Sequence, residues 1–193
     1  MEGSGGCVID CSHLHFQYAV ASLCCQVAPL GESMLQYFGD KLRYLREQRH
    51  LTQRDLAQQL TLVRQSHIAN VESNRRGPSL QFVILIASFF HVTSEYLLRD
   101  AISVEDSTAH TIDHTVLQTQ MSKRFGEKLR HLRERVDMTQ SELAQQLGLS
   151  AHAHISLLEN GRHEPSVDLV IHVSEIFQVT TDYLIWDAIS IEQ

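Results

Sequence analysis

Hydrophobic residues recur along two stretches of this chain at the spacing of amphipathic helices. Phe38, Leu42 and Leu45 fall at positions i, i+4 and i+7, which places them on one face of a helix, and the same spacing starts again at Phe125. Four further short helical segments follow in each stretch. Five helices in 68 residues leave no room for a sheet, so the pattern predicts an all-α protein.

The signals for helix starts support this prediction. Thr52 and Asp55 have the spacing of a capping box, in which the Thr side chain accepts a hydrogen bond from the first turn. This second helix is expected to end near Leu60. Pro78 precedes a fourth, apolar helix, and Thr93 can cap a fifth. Each signal has a counterpart 87 residues further on, where Thr139 and Glu142 form the second capping box.

The two stretches are copies of one unit. Residues 38–105 align with residues 125–192 without a gap, and 34 of the 68 positions are identical. "TQRDLAQQL" corresponds to "TQSELAQQL", and "VTSEYLLRDAISVE" to "VTTDYLIWDAISIE". A unit of this size can bury a small core of its own. We therefore predict a first domain at 38–105 and a second at 125–193.

Two segments have no counterpart in the repeat. Residues 1–37 are predicted to be a disordered or loosely helical tail, and a translation start at Met34 is an alternative interpretation. Residues 106–124, rich in Thr, His and Ser, are predicted to be a flexible linker.

Charge is distributed unevenly between the two units. The net charge of the chain is −7, but residues 38–105 carry nine basic and seven acidic groups, whereas residues 125–193 carry five basic and eleven acidic groups. A polyanionic partner should therefore be contacted more strongly by the first unit.

The chemistry-bearing residues outside this pattern indicate no cofactor. All four cysteines lie in the first 25 residues, so the repeats need no disulfide framework. Cys7 and Cys11 with nearby His13 and His15 could bind zinc or sense redox state, but their spacing fits no metal-ligand pattern. His110 and His114 in the linker are a weak metal pair. We expect no metal and no cofactor.

Several classes of protein are disfavoured. The longest apolar stretch, residues 16–30, is too short to span a bilayer, and no basic residue precedes it as in a secretory signal. We expect a cytoplasmic protein without membrane contact. The sequence contains no Gly-rich phosphate loop, nucleophile elbow or His-Glu zinc helix, so we do not expect an enzyme.

The first unit contains the segments "LTQRDLAQQL…HIANVESNRRGPS…IASFFHVTSEYLL", and the second contains "MTQSELAQQLGLS…HISLLENGRHEPS". Both sets of segments resemble the Cro/cI-like helix-turn-helix family, also called the XRE family of phage and bacterial repressors. The resemblance is closer for the second unit. The resemblance covers both units. It implies two tandem five-helix, lambda-repressor-like domains that bind double-stranded DNA and regulate transcription, more as a repressor than as an activator. It also implies that the third helix lies in the major groove. The linker is long enough to let both units sit on one duplex, since a helical turn of DNA is about 34 Å long.

The resemblance carries over to individual positions. The base-reading candidates are Arg64, Gln65, Ser66 and Asn70 in the first unit and His152 in the second, because Gln and Asn can bond adenine and Arg can bond guanine. The phosphate-contact candidates are Arg43, Arg46, Gln53, Arg75, Arg76, Arg130, Gln140 and Arg162.

Both units depart from the family in the turn before the third helix. Each has one residue more than usual there, which could lengthen the turn or extend the helix start. The first unit also has Thr61 where the family commonly has Gly, and a β-branched residue at positive φ is costly. We therefore expect a remodelled turn in the first unit.

The partners implied by the last helix are less specific. Trp186, the only tryptophan, replaces Arg99 of the first unit in a region that often pairs subunits in this family, so it either suits a homodimer interface or covers its own core. An alternative function is an interaction module of antitoxin type, in which the acidic second domain binds a protein partner.

Overall fold

The computed structural model describes residues 35–61, 63–106, 124–149, 152–187 and residue 189. The predictions about the cysteines of the tail, about the histidine pair in the linker and about the side chain of His152 lie outside the described residues.

Two sets of five helices follow one another, and the described residues contain no strand, which confirms the all-α prediction with two tandem units. The helices of the first repeat are α1 (Phe38–Gln48), α2 (Gln53–Gln59), α3 (Gln65–Glu72), α4 (Leu80–Phe90) and α5 (Ser94–Leu98). Those of the second are α6 (Phe125–Arg135), α7 (Gln140–Gln146), α8 (His152–Glu159), α9 (Val167–Phe177) and α10 (Thr181–Ile185).

The helices begin where the capping signals place them. Thr52 Oγ1 accepts from the backbone N–H of Asp55 at 3.1 Å, and the Asp55 carboxylate accepts from the Thr52 N–H at 2.9 Å. Thr139 forms the same box with Glu142. Thr93 caps α5 by accepting from Tyr96 N at 3.0 Å. The predicted capping boxes are therefore confirmed.

Each repeat encloses a core to which all five helices contribute. Phe38 and Leu42 of α1 are buried against Ile68 and Val71 of α3, as their spacing predicts. The apolar helix α4 closes the core from the other side. With Ile68 and Val71 buried by this packing, α3 leaves Gln65, Ser66 and Asn70 exposed.

A buried lysine joins the first helix of each repeat to the last. Lys41 Nζ donates to the carbonyls of Tyr96 at 2.6 Å and Arg99 at 2.7 Å, where α5 ends. Burial lowers the pKa of Lys41 to about 8, with the nearby Asp100 carboxylate opposing the shift. Lys128 makes the equivalent contacts in the second repeat. Each lysine thus donates to carbonyls at the end of the last helix of its repeat and joins that end to the first helix.

The start of the first repeat reaches three residues into the predicted tail. Leu35 is buried in the core, and the backbone N–H groups of Gln36 and Tyr37 donate to the Asp100 carboxylate at 2.9 and 3.2 Å. In the structure these residues are therefore attached to the first repeat.

The two repeats contact each other through their last helices. Ser94 N and Glu95 N donate to the carboxylate of Asp182 at 2.8 and 3.1 Å. Trp186 is buried, and its indole Nε1 donates to Ser94 Oγ at 3.1 Å. The neighbour of Trp186 in the structure is therefore the first repeat of the same chain.

Close contact between α1 and α3 requires a glycine in α1. A Cβ on Gly39 would lie 2.5 Å from the carbonyl oxygen of Val71 and 2.7 Å from Asn74 Oδ1. Gly126 meets the backbone of α8 in the same way. The absence of a side chain at these positions lets α1 approach α3 closely.

Replacing Gly39 by Ala should lower the free energy of unfolding by about 1–3 kcal/mol, because the added methyl must push two backbones apart. Urea denaturation of the full chain measures this. Gly77→Ala is the matched control, since a Cβ there meets nothing within 4 Å. The control should leave stability unchanged or raise it by up to about 1 kcal/mol. Equal effects of both substitutions would contradict the close-approach argument.

Candidate nucleic-acid interface

Helices α2 and α3 and the residues between them form a helix-turn-helix in the first repeat. The turn comprises residues 60–64, and α3 begins at Gln65 with Arg64 in extended conformation just before it. Arg64, predicted within the base-reading set, therefore lies at the helix start.

The exposed face of α3 presents polar side chains. Gln65, Ser66 and Asn70 are exposed, whereas Ile68 of the same helix is fully buried. Four predicted base-reading residues of the first repeat are therefore brought together on one surface, with Arg64 at its edge. This arrangement suits an element that enters the major groove, where amide and guanidinium groups meet base edges.

The corresponding surface of the second repeat is poorer in polar groups. His152 begins α8, Ala153 is exposed and Leu157 is partly buried. Ile155 fills the core position that Ile68 fills in the first repeat. The second helix-turn-helix thus has the same order of helices but fewer polar side chains that could form hydrogen bonds with bases.

The predicted phosphate contacts fall into two groups. Arg75, Arg76 and Arg162 are exposed in the segments that follow α3 and α8. The side chain of Arg43 is 49% exposed and that of Arg130 47% exposed, although both lie near a buried glutamate. These five guanidinium groups are accessible to a polyanion.

Arg46 and Gln53 form the second group because they are bound within the protein. Arg46 Nε donates to Glu72 Oε1 at 2.7 Å, and Gln53 Nε2 donates to Glu72 Oε2 at 2.8 Å. The carboxylate side chain of Glu72 is only 1% exposed. One carboxylate thereby ties together α1, α2 and the end of α3.

The second repeat contains the same cluster. Arg133 Nε and Gln140 Nε2 donate to the carboxylate of Glu159 at 2.7 and 2.8 Å. Burial raises the pKa of Glu159, but the hydrogen bonds from Arg133 and Gln140 outweigh burial and the net pKa is lowered. The hydrogen bond to Glu159 also raises the pKa of Arg133. The lowered pKa favours the ionised form of Glu159, and the cluster ties the end of α8 to α6 and α7.

Sequence reasoning gave these two glutamates no role of their own. The signal was present, because both repeats carry Glu at the same position near the end of a polar third helix. Contact with DNA phosphate stays a prediction for all the candidates, including Arg46, Gln53 and Gln140.

The turn before α3 uses a strained residue. Thr61 adopts φ +50°, and its counterpart Gly148 adopts φ +66°. The described part of the turn in the first repeat therefore keeps the left-handed conformation, and Thr61 is accommodated at an energetic cost. The remodelling expected at Thr61 is not seen there.

Electrostatics distinguish the two surfaces. The segment after α3 exposes two arginines followed by Gly77, whereas the equivalent segment after α8 exposes one arginine, one histidine and Glu164. The first repeat therefore offers the more favourable surface for a polyanion.

The described residues contain neither a metal-binding cluster nor a membrane-spanning helix. Among the described residues no group of three or more His, Cys, Asp or Glu side chains could hold a metal ion. Within the same part of the chain, no helix is long and apolar enough to cross a bilayer.

Comparisons with known proteins agree with this geometry. The helix-turn-helix family matches at residues 42–97 and again at 129–184, which together make up more than half of the chain. A stretch of 56 residues is 45% identical to an uncharacterized HTH-type transcriptional regulator of Methanocaldococcus jannaschii, covering 29% of this chain and 83% of that protein. No solved structure matches the chain significantly.

Two tandem helix-turn-helix units with exposed third helices define a DNA-binding protein of the transcriptional-regulator class. The chain belongs to the Cro/cI-like, or XRE, helix-turn-helix family.

Replacing Thr61 by Gly should raise the free energy of unfolding by about 0.5–1 kcal/mol, because relief of the left-handed strain exceeds the extra chain entropy of glycine. The reverse change Gly148→Thr is the matched variant and should lower stability. Thermal and urea unfolding of both variants measure the difference. A loss of stability in Thr61→Gly would show that the hydroxyl or methyl group of Thr61 outweighs the strain.

Proposed function

We propose that this protein is a sequence-specific repressor of transcription that reads the major groove mainly with α3 of the first repeat. The observation that carries the proposal is the exposed polar face of α3. Gln65, Ser66 and Asn70 are exposed on it and none of the three is part of the core, whereas Ile68 is fully buried.

The surroundings of α3 support its assignment as the reading element. Arg64 precedes the helix, and Arg75 and Arg76 follow it, all three exposed. Guanidinium groups on both sides of a reading helix can position it by contacting phosphates of the two groove walls. The Glu72 cluster fixes the helix against α1 and α2, so binding requires little reorganisation.

The second repeat contributes less base reading in this proposal. Its α8 exposes Ala153 in place of Ser66 and carries the partly buried Leu157 in place of Asn70. Arg130 and Arg162 remain accessible there, so this repeat supplies mainly phosphate contacts.

Repression, as opposed to activation, is supported by the resemblance of both repeats to phage and bacterial repressors. A protein that occupies a site overlapping a promoter blocks polymerase without further contacts. A reporter gene with the selected site placed across its promoter tests this: expression should fall when the protein is supplied. Increased expression would contradict the proposal of a repressor.

The second candidate function is a protein-interaction module of antitoxin type. The acidic charge of residues 125–193 favours it, with eleven acidic against five basic groups. Trp186 lends it no support, since its side chain is buried against the first repeat. Selection of genomic fragments by the full chain distinguishes the candidates: enrichment of one short motif supports a regulator, and uniform, salt-sensitive retention favours the interaction module.

Gln65→Ala should weaken binding to the selected site by about 1–3 kcal/mol and relax specificity at one base position, because a bidentate amide contact to adenine is lost. Fluorescence anisotropy on the selected duplex and on single-base variants measures both effects. Gln48→Ala, at an exposed position near the end of α1, is the control and should bind normally. Unchanged affinity of Gln65→Ala would refute the assignment of this helix face.

Arg75→Ala should weaken binding equally on the selected and on a scrambled duplex, since phosphate contacts carry no sequence information. The slope of log affinity against log salt should fall by about one. Salt titrations on both duplexes measure this. A loss confined to the selected duplex would instead make Arg75 a base-reading residue.

A further inference from the structure

The contact between the repeats is reciprocal. The Asp182 carboxylate accepts from Ser94 N and Ser94 Oγ, both at 2.8 Å, at the start of α5. The Glu95 carboxylate accepts from Thr181 N at 2.7 Å and Thr181 Oγ1 at 2.8 Å, at the start of α10. Glu95 and Asp182 occupy the same position of the repeat, 87 residues apart. Each repeat therefore uses the same carboxylate to satisfy the first-turn N–H groups of the other.

A second pair of equivalent positions repeats this symmetry with different side chains. Arg99 donates to its own Glu95 at 2.8 Å and across the contact to Glu175 at 3.0 Å. Trp186 donates to its own Asp182 at 2.9 Å and across the contact to Ser94 at 3.1 Å. The interface between the repeats is thus approximately two-fold symmetric in which positions are in contact. The side chains at these positions differ between the two halves.

A cleft of about 550 Å³ between the repeats is lined by equivalent residues of both, in keeping with the two-fold symmetry of the contact. Apart from Leu35, it is lined by residues 77–81 of the first repeat and residues 164–168 of the second, which are equivalent stretches. Each stretch lies in the segment that follows a reading helix and leads into the next. Because both segments line one cleft, the chain leaves α3 and α8 toward the same region of the molecule.

We infer that one chain is a complete pseudo-dimer, which is monomeric in solution and binds, as a single copy, an operator of two unequal half-sites at fixed spacing. Two-fold contacts use the same surface patch on both partners. Here that patch on each repeat is covered by the other repeat of the chain, so a second copy has no such patch to pair with. The DNA part of this inference rests on the proposed function.

The two half-sites are unequal because the reading surfaces differ. The first repeat presents exposed Gln65 and Asn70, whereas the second presents Ala153 and the partly buried Leu157. We expect the half-site under α3 to hold most of the sequence information. The half-site under α8 should be defined by its distance from the first and by phosphate contacts.

The part of the inference that does not involve DNA is tested on the full chain in solution. Light scattering after size exclusion should give the mass of one chain, 22.0 kDa. Trp186, the only tryptophan, reports on the interface through its fluorescence. It should emit at short wavelength and resist quenching by acrylamide. A mass of two chains, or a solvent-exposed tryptophan in the monomer, would overturn the inference.

Glu95→Ala probes the interface without touching Trp186 directly, since Glu95 contacts Thr181 and Arg99. The start of α5 keeps its Thr93 cap, so the helix should still form. We expect a red shift of Trp186 emission and a several-fold rise in acrylamide quenching. Glu105→Ala, at an exposed position near the end of the first repeat, is the matched control and should behave as the parent. Identical spectra for the two variants would count against the inference.

The DNA part is tested by shortening the selected duplex on the side bound by α8, so that the half-site under α3 stays intact. The parent chain should bind the shortened duplex about tenfold more weakly, and the slope of log affinity against log salt should fall, because the phosphate contacts of the second repeat are lost. In Glu95→Ala this loss should become smaller, since the second repeat is then no longer held on that side. Shortening by the same number of base pairs on the other side of the α3 half-site is the control and should change affinity little. Equal affinity of the parent for the full duplex and for the duplex shortened under α8 would refute binding of one site by both repeats.

Stoichiometry separates failure of this inference from failure of the proposed function. Titration should show one chain per duplex on a non-palindromic site. Two chains on a palindromic site would overturn the pseudo-dimer and leave the repressor proposal intact. Absence of any selected site would remove the proposed function, and the mass and fluorescence results would still decide whether the repeats form one unit.

Discussion

The arrangement of the third helix in each repeat depends on one buried carboxylate. Glu72 in the first repeat and Glu159 in the second accept hydrogen bonds from an arginine of the first helix and a glutamine of the second. An ionised carboxylate out of water is tolerated only when such partners satisfy it. Loss of one partner would leave the carboxylate buried with fewer hydrogen bonds, so the first three helices of each repeat hold one another in place.

This constraint explains why the two repeats share their packing residues but differ in the side chains of their third helices. The cluster, the glycine at the helix crossing and the buried lysine are identical in both repeats, since each is needed for packing. The exposed positions of α3 and α8 are under no such requirement. Where α3 has Gln65, Ser66 and Asn70, the equivalent positions of α8 have His, Ala and Leu. The same scaffold therefore carries a polar reading surface once and a largely apolar one the second time.

The contact between the repeats links this asymmetry to function. Glu95 and Asp182 each satisfy the helix start of the opposite repeat, and in the proposed pseudo-dimer this pairing holds two unlike third helices in one molecule. A pair of identical subunits can present only equal surfaces. A duplicated chain can present two different surfaces, because the sequence of each repeat can change independently while the contact between the repeats is preserved.

Much of this protein was determined by local sequence. The helix starts at Thr52 and Thr93 follow from side chains that bond the adjacent backbone, and the buried face of α3 follows from the spacing of Ile68 and Val71, which needs only helical periodicity. The internal repeat also revealed two units of one fold. Tertiary structure decided what depends on groups distant in the chain: the burial of Glu72 with its two partners, and the pairing of Asp182 with Ser94, 88 residues away. Burial and charge pairing depend on which helices meet in space, and periodicity along the chain does not contain that information.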